Sequence, residues 1–173
     1  GEVFIAAGAE VRACCLLAPP HGPIYIDEGA TVVPPTVMEG PCYVGKKTQV
    51  NGAKIREGAS IGAVCRVAGE ISHSIILDYT NKNHEGYLGN SYIGDWVNFG
   101  AMSTNSNLKN NYGSIRVVEE GAPVDTGLIK MGLVCGDHAR FGIGSLITTG
   151  AVVGVGANVF GAGGVVGRWT PSF

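Results

Sequence analysis

Cys135-Gly136-Asp137-His138-Ala139-Arg140-Phe141-Gly142-Ile143-Gly144-Ser145-Leu146-Ile147-Thr148-Thr149-Gly150-Ala151-Val152-Val153 decides the fold. A hydrophobic residue returns every six positions, at Cys135, Phe141, Ile147 and Val153, and the beat runs on to Val159 and Val165. Four residues after these come small ones: Ala139, Ser145, Ala151, Ala157 and Gly163. Such a period fits neither the helical repeat nor the two-residue alternation of a strand. It fits a parallel β-helix of hexapeptides, in which each hexapeptide is a short strand plus a turn and three close one triangular coil. The apolar residue points into the prism, and the small one sits near a corner.

Outward from that stretch the beat recurs at Ile26, Val32, Met38, Val44 and Val50, with small partners Ala30, Thr36, Cys42 and Thr48. Lys54 is the exception, a cation where a small residue is expected. A five-residue step leads to Ile55 and Ile61, and Ile93 and Phe99 carry the beat through the centre. The expected fold is therefore all-β, a parallel β-helix shaped as a triangular prism. Seven or eight coils at the strand spacing would stand roughly 35–40 Å tall. The beat fails near 70–88 and 105–131, which predicts two loop insertions. Residues 1–25, with Pro19-Pro20 and Gly22-Pro23, read as an irregular N-terminal cap on a solenoid spanning 26–173.

Composition narrows the function. The chain has 173 residues and 28 glycines, and its formal charge is −2, which argues against a nucleic-acid partner. No apolar run is long enough to span a membrane. The first residues lack the basic and apolar regions of a signal peptide, so the expected location is cytoplasmic. The five cysteines form no C-x-x-C pair and read as small reduced thiols. Gly40-Pro41-Cys42-Tyr43-Val44-Gly45-Lys46-Lys47 approaches a phosphate loop, but Lys47 stands where Ser or Thr is required and the residues fall on the hexapeptide beat. His73, His84 and His138 form no short-range pair, so no metal is expected.

Chemistry gathers between His84 and Asn107. A histidine in a polar break, beside a wall bearing Asn98 and Asn107, has the titration range and the neighbours of a general base. Lys54 and Arg56, two cations on one coil, would suit a phosphate.

His84-x-x-Tyr87-Leu88-Gly89-x-x-x-Ile93-Gly94-Asp95-x-Val97-Asn98-x-Gly100-Ala101 resembles the active-site stretch of the acetyltransferase domain of bifunctional N-acetylglucosamine-1-phosphate uridyltransferases. Ala53-Lys54-Ile55-Arg56-Glu57-Gly58-Ala59 resembles that family's basic sugar-phosphate motif. Asn105 to Tyr112, Asp125-Thr126-Gly127-Leu128 and the C-terminal coils look closer still to its sugar nucleotidyltransferase branch. The resemblance covers roughly residues 22–173 and implies a left-handed β-helix, assembled as a homotrimer. It implies an acetyl-CoA-dependent transfer to the amine of an amino-sugar 1-phosphate. His84 would be the base and Ala101 the oxyanion donor through its backbone N–H. Tyr87, Asn98 and Asn107 would contact the sugar, and Lys54 and Arg56 the phosphate. Ala101, Ser145 and Gly161 would lie near acetyl-CoA. Met102-Ser103 stands where the family has Gly-Thr, and no lysine falls at 72–74. The alternative reading is a non-catalytic module that binds a sugar phosphate or nucleotide, or only trimerises.

Overall fold

The computed structural model describes residues 1–119, 121–160 and 164–173. Those residues contain no α-helix and none that could cross a membrane. They form a parallel β-solenoid. One face stacks nine strands in order, from Val3–Ile5 through Ile24–Ile26, Cys42–Val44, Ala59–Ile61, Ile75–Ile76, Tyr92–Ile93, Val134–Cys135 and Val152–Val153 to Trp169–Thr170. Two further faces complete the triangle. Each strand's backbone groups bond to the coils below and above, so the column satisfies its own hydrogen bonds.

The hexapeptide beat builds the interior. Ile26, Val32, Met38, Val44, Val50, Ile55, Ile61, Ile93, Phe99, Cys135, Phe141, Ile147 and Val153 are all buried, together with the small residues Ala30, Thr36, Thr48, Ala139, Ser145, Ala151 and Ala157. Phe99 and Phe141 stack inside the prism at 4.7 Å between centroids. Burial pushes the Cys42, Cys65 and Cys135 thiols up to about 12, 11 and 12, which makes them packing residues rather than nucleophiles. At the top the register slips by one: Val166, paired with Ile147, is buried, and Val165 points to solvent.

Three sequence expectations change. Residues 1–25 are not irregular: Val3–Ile5, Glu10–Val11 and Leu16–Ala18 pair in register with the coil above. Residues 70–88 do not leave the solenoid, because Ile75–Ile76 pairs with Ala59–Ile61 below and Tyr92–Ile93 above. The beat only looked broken there, because two of its steps are short and Lys82 fills an inward slot between Ile76 and Leu88. Lys54 is not the small corner residue: Ala53 takes that place, fully buried, and Lys54 points outward. Gly52, at φ 64°, turns this corner one residue early, so the strand Gln49–Ile55 runs continuously around it.

The break at 105–131 is a true excursion. After Thr104–Asn105 the chain leaves the column, forms the antiparallel hairpin Arg116–Glu119 with Ala122–Asp125, and returns through Met131. Tyr92 and Val134, neighbours on one face, are thus separated by far more than one coil of sequence.

Corners are held by side chains as well as by turns. Asp78 accepts the Ala63 N–H, Asp95 the Asp78 N–H and Asp137 the Asp95 N–H, at 2.7, 2.7 and 2.9 Å. Beside this column Tyr79, Trp96 and His138 stack with ring planes within about ten degrees of parallel, all at positive φ.

Candidate functional site

The site grows from the face that carries Gln49–Ile55, Arg66–Ser72, Tyr87–Gly89 and Thr104–Asn105. Alternation along these strands points Lys54, Arg56, Glu70, Ser72, Tyr87 and Thr104 outward. Tyr87 lies flat along the wall because Gly89 has no side chain: a Cβ there would collide with the phenol oxygen. That oxygen accepts a hydrogen bond from Asn107 Nδ2 at 2.9 Å, and Asn107 Nδ2 also donates to Asn90 Oδ1 at 2.7 Å. Burial, with Glu70 nearby, raises the Tyr87 phenol above its ordinary range, partly offset by the hydrogen bonds to Ser72 and Asn107.

Two recesses flank Tyr87. One, of about 270 Å³, is lined by Lys54, Glu70, Glu85, Tyr87 and the corner residues Gly52, Gly69 and Gly86. The other, of about 400 Å³, opens toward the opposite corner between Arg56, Glu57, Ser72, His73 and Tyr87. In it Ser72 Oγ lies 2.9 Å from His73 Nδ1, and His73 Nε2 lies 3.8 Å from Glu57.

The sequence-predicted residues separate into groups. Tyr87 and Asn107 meet directly. Lys54 shares a recess with Tyr87 and has no ion pair among the described residues. Arg56 is occupied: its guanidinium bonds Glu39 at 2.8 Å and Glu70 at 3.2 Å, so much of its charge is spent within the protein. His84 is exposed, on the corner turn that precedes Tyr87. Asn98 lies on the adjacent face and accepts a hydrogen bond from Asn81. Ala101 sits on the corner turn one coil above His84, its N–H without an acceptor among the described residues. Ser145 points inward, its hydroxyl donated to the Gly142 carbonyl at 2.8 Å, so it faces no ligand. Gly161 lies outside the described residues. Met102 occupies a corner at φ 63° and is 62% exposed, so its side chain fills no space inside the column.

Sequence reasoning missed participants of three kinds. Asn90 completes the Tyr87–Asn107 chain; its signal is an Asn just past a glycine at a corner, a common left-handed position. Glu70 and Glu85 give one recess its acidic rim. Lys82 is the third. It is 3% exposed, and its ammonium donates to the Ala68 and His84 carbonyls at 3.1 and 2.9 Å. Burial lowers its pKa to about 8. It sits six residues after Ile76 and six before Leu88, so the beat itself marked it as inward.

A hexapeptide solenoid with a polar, sugar-sized wall on one face is thus the class of protein that fold and site define. The sequence relatives agree. Over 174 residues, 99% of this chain, it is 27% identical to the bifunctional protein GlmU of Methylibium petroleiphilum. Over 99 residues, 57% of the chain, it is 33% identical to a bifunctional sugar-1-phosphate nucleotidylyltransferase/acetyltransferase of Sulfurisphaera tokodaii. Over 93 residues, 51% of the chain, it is 36% identical to the GlmU of Methanococcus maripaludis strain C7. The chain spans 33%, 24% and 22% of these proteins' lengths, respectively. No protein-family model matches it. The resemblance to the bifunctional nucleotidyltransferase/acetyltransferase proteins read from the sequence therefore holds over most of the chain, on the expected architecture.

Proposed function

We propose that the chain transfers an acetyl group from acetyl-CoA to the amine of an amino-sugar 1-phosphate. The observation that carries this reading is the Tyr87–Asn107–Asn90 chain beside the recess of Lys54. Fixed amide and phenol groups suit sugar hydroxyls, and an ammonium without an ion pair suits a phosphate. His84, on the corner turn that precedes Tyr87, takes the proton that the amine loses as its lone pair attacks the thioester carbonyl. The Ala101 N–H stabilises the oxyanion, which collapses with release of the coenzyme A thiol. The pantetheine arm lies along the apolar groove of about 320 Å³ lined by Thr104, Ser106, Leu146, Thr148 and Val165. The relatives support the class, since the name of one joins sugar-1-phosphate nucleotidylyl transfer to acetyl transfer.

One observation favours the alternative of a non-catalytic sugar-phosphate or nucleotide module: Ser145, expected near acetyl-CoA, faces inward and donates to the Gly142 carbonyl. Release of coenzyme A thiol from acetyl-CoA with glucosamine 1-phosphate and related amino-sugar phosphates tests the choice. Turnover that needs the amine acceptor supports the enzyme. Calorimetric sugar-phosphate binding with no turnover and no coenzyme A binding supports the module.

A further inference from the structure

The two corners around Lys82 differ in length. In the coil below, Val67 and Glu70 are joined by Ala68 and Gly69 alone, and the strand Arg66–Ser72 runs straight through the bend with a register shift between Val67 and Gly69. In the coil of Lys82, four residues, Asn83 to Gly86, make the same corner. The longer turn must bulge over the shorter one, and the bulge leaves interior space with backbone carbonyls around it. Lys82 fills that space. Its stem stacks on Val67, and its ammonium bridges the lower corner at Ala68 O to the upper corner at His84 O. A Cβ on Gly69 would come within 3.0 Å of Nζ, so the lower corner is shaped to admit the ammonium. Apolar residues fill most neighbouring inward slots, and an unpaired interior cation costs several kcal/mol in general. A leucine or methionine would pack the slot without that cost, but neither can hold the His84 carbonyl.

We propose that Lys82 is a positioning residue, a strut that fixes the Asn83–Gly86 turn and so aims the His84 ring at the Tyr87 wall. The role rests on the acetyltransferase reading for its purpose, though not for its existence. The strut touches the backbone of His84 and not its ring. Nothing else among the described residues bonds the His84 carbonyl. Asn83, at the start of the turn, is tied by its Oδ1 to Asn51 Nδ2 at 2.6 Å, so the strut secures the half of the turn that this bond leaves loose.

Lys82→Met keeps the length and the packing and removes the donor. Amide hydrogen exchange should quicken about tenfold across residues 83–87 while the coils above 130 stay as protected as in the parent. The rate constant for acetyl transfer should fall ten- to a hundredfold, with KM for the sugar phosphate unchanged, because a misaimed base costs turnover rather than ground-state binding. Unchanged exchange at 83–87 overturns the strut. Quickened exchange with unchanged kcat overturns the positioning role. A parent without transferase activity removes the function proposed above, yet the exchange comparison still decides the strut. Should Lys82→Met fail to fold, reductive methylation of the native parent takes its place. Lys82 should then react at least tenfold more slowly than Lys54, and equal rates would overturn the arrangement.

Discussion

At the residue scale, Lys82 shows how a function leaves a mark on stability. Folded Lys82 gives up its proton near pH 8, whereas the unfolded chain holds it to about 10.5. Between those values the unfolded state binds more protons, so this group's contribution to stability rises with pH. The cost of burying the charge, on the order of 3 kcal/mol, is fully present below pH 8 and relieved above it. Glu85 is the charged neighbour that opposes the shift, and too weakly to cancel it. The buried thiols act the other way. Their raised pKa values contribute stability that is present below the ordinary thiol value and lost as pH climbs past it. The Lys82 effect is therefore isolated by comparison with Lys82→Met, which keeps the thiols. In denaturant unfolding from pH 7 to about 9.5, the parent should gain about 2 kcal/mol relative to the variant. A constant difference across that range would show that Lys82 titrates normally in the fold.

At the element scale, the hexapeptide is the unit, and its legibility followed from one physical fact. Inward residues must be apolar and corner residues small, so the period survives in the sequence wherever all inward residues are apolar. It vanished where inward slots hold Lys82 and Asn105. Asn105 is buried, with its amide bonded to the Gly89 carbonyl and its oxygen to the Gly89 N–H. Lys82 in its inward slot, with the short steps before it, is why residues 70–88 read as a loop though they stay in the column. Lys54 differs for a related reason: the corner at Gly52 is one residue shorter, as the five-residue step from Val50 to Ile55 also marks, so Ala53 rather than Lys54 takes the corner place. Corners also carry stability of their own. Asp95 accepts the Asp78 N–H at 2.7 Å and donates its own N–H to Asp137 at 2.9 Å. Asp95→Ala leaves the first donor unpaired in a partly buried turn, and should cost about 1–3 kcal/mol in chemical denaturation. Asp95→Asn, which keeps an acceptor oxygen at that place, should recover most of the loss. Equal losses for both would mean that the carboxylate acts by charge rather than as a turn acceptor.

At the scale of the whole molecule, the nine-stranded face presents large apolar side chains to solvent. Phe4, Tyr25, Tyr43, Ile75, Tyr92 and Trp169 point outward from the nine-stranded face, each more than a third exposed. A mostly apolar stripe of this kind, interrupted by Ser60 between Tyr43 and Ile75, is what a self-associating surface presents. It supports the proposed homotrimer, in which that stripe is covered by another copy of the chain. Light scattering should give about three times the chain mass of 17.8 kDa. A single-chain mass would leave the stripe without its proposed cover. The excursion of residues 106–131, with its hairpin, leaves the column next to the apolar groove, so an adjacent copy would find irregular backbone there rather than another flat face.

The parallel solenoid was legible from spacing, and the polar chemistry of the His84–Asn107 stretch from its residue types. Which residues touch within it was not, because contact across coils depends on corner lengths that the residue types barely encode. Tyr87 meeting Asn107 and Arg56 spent on Glu39 and Glu70 are facts of register. The proposal that His84, on the turn held by Lys82, serves as the base for acetyl transfer is checked by the steady-state rate of coenzyme A release in His84→Ala. With glucosamine 1-phosphate as acceptor, the variant should lose about two to four orders of magnitude in kcat. A variant as fast as the parent would contradict the claim.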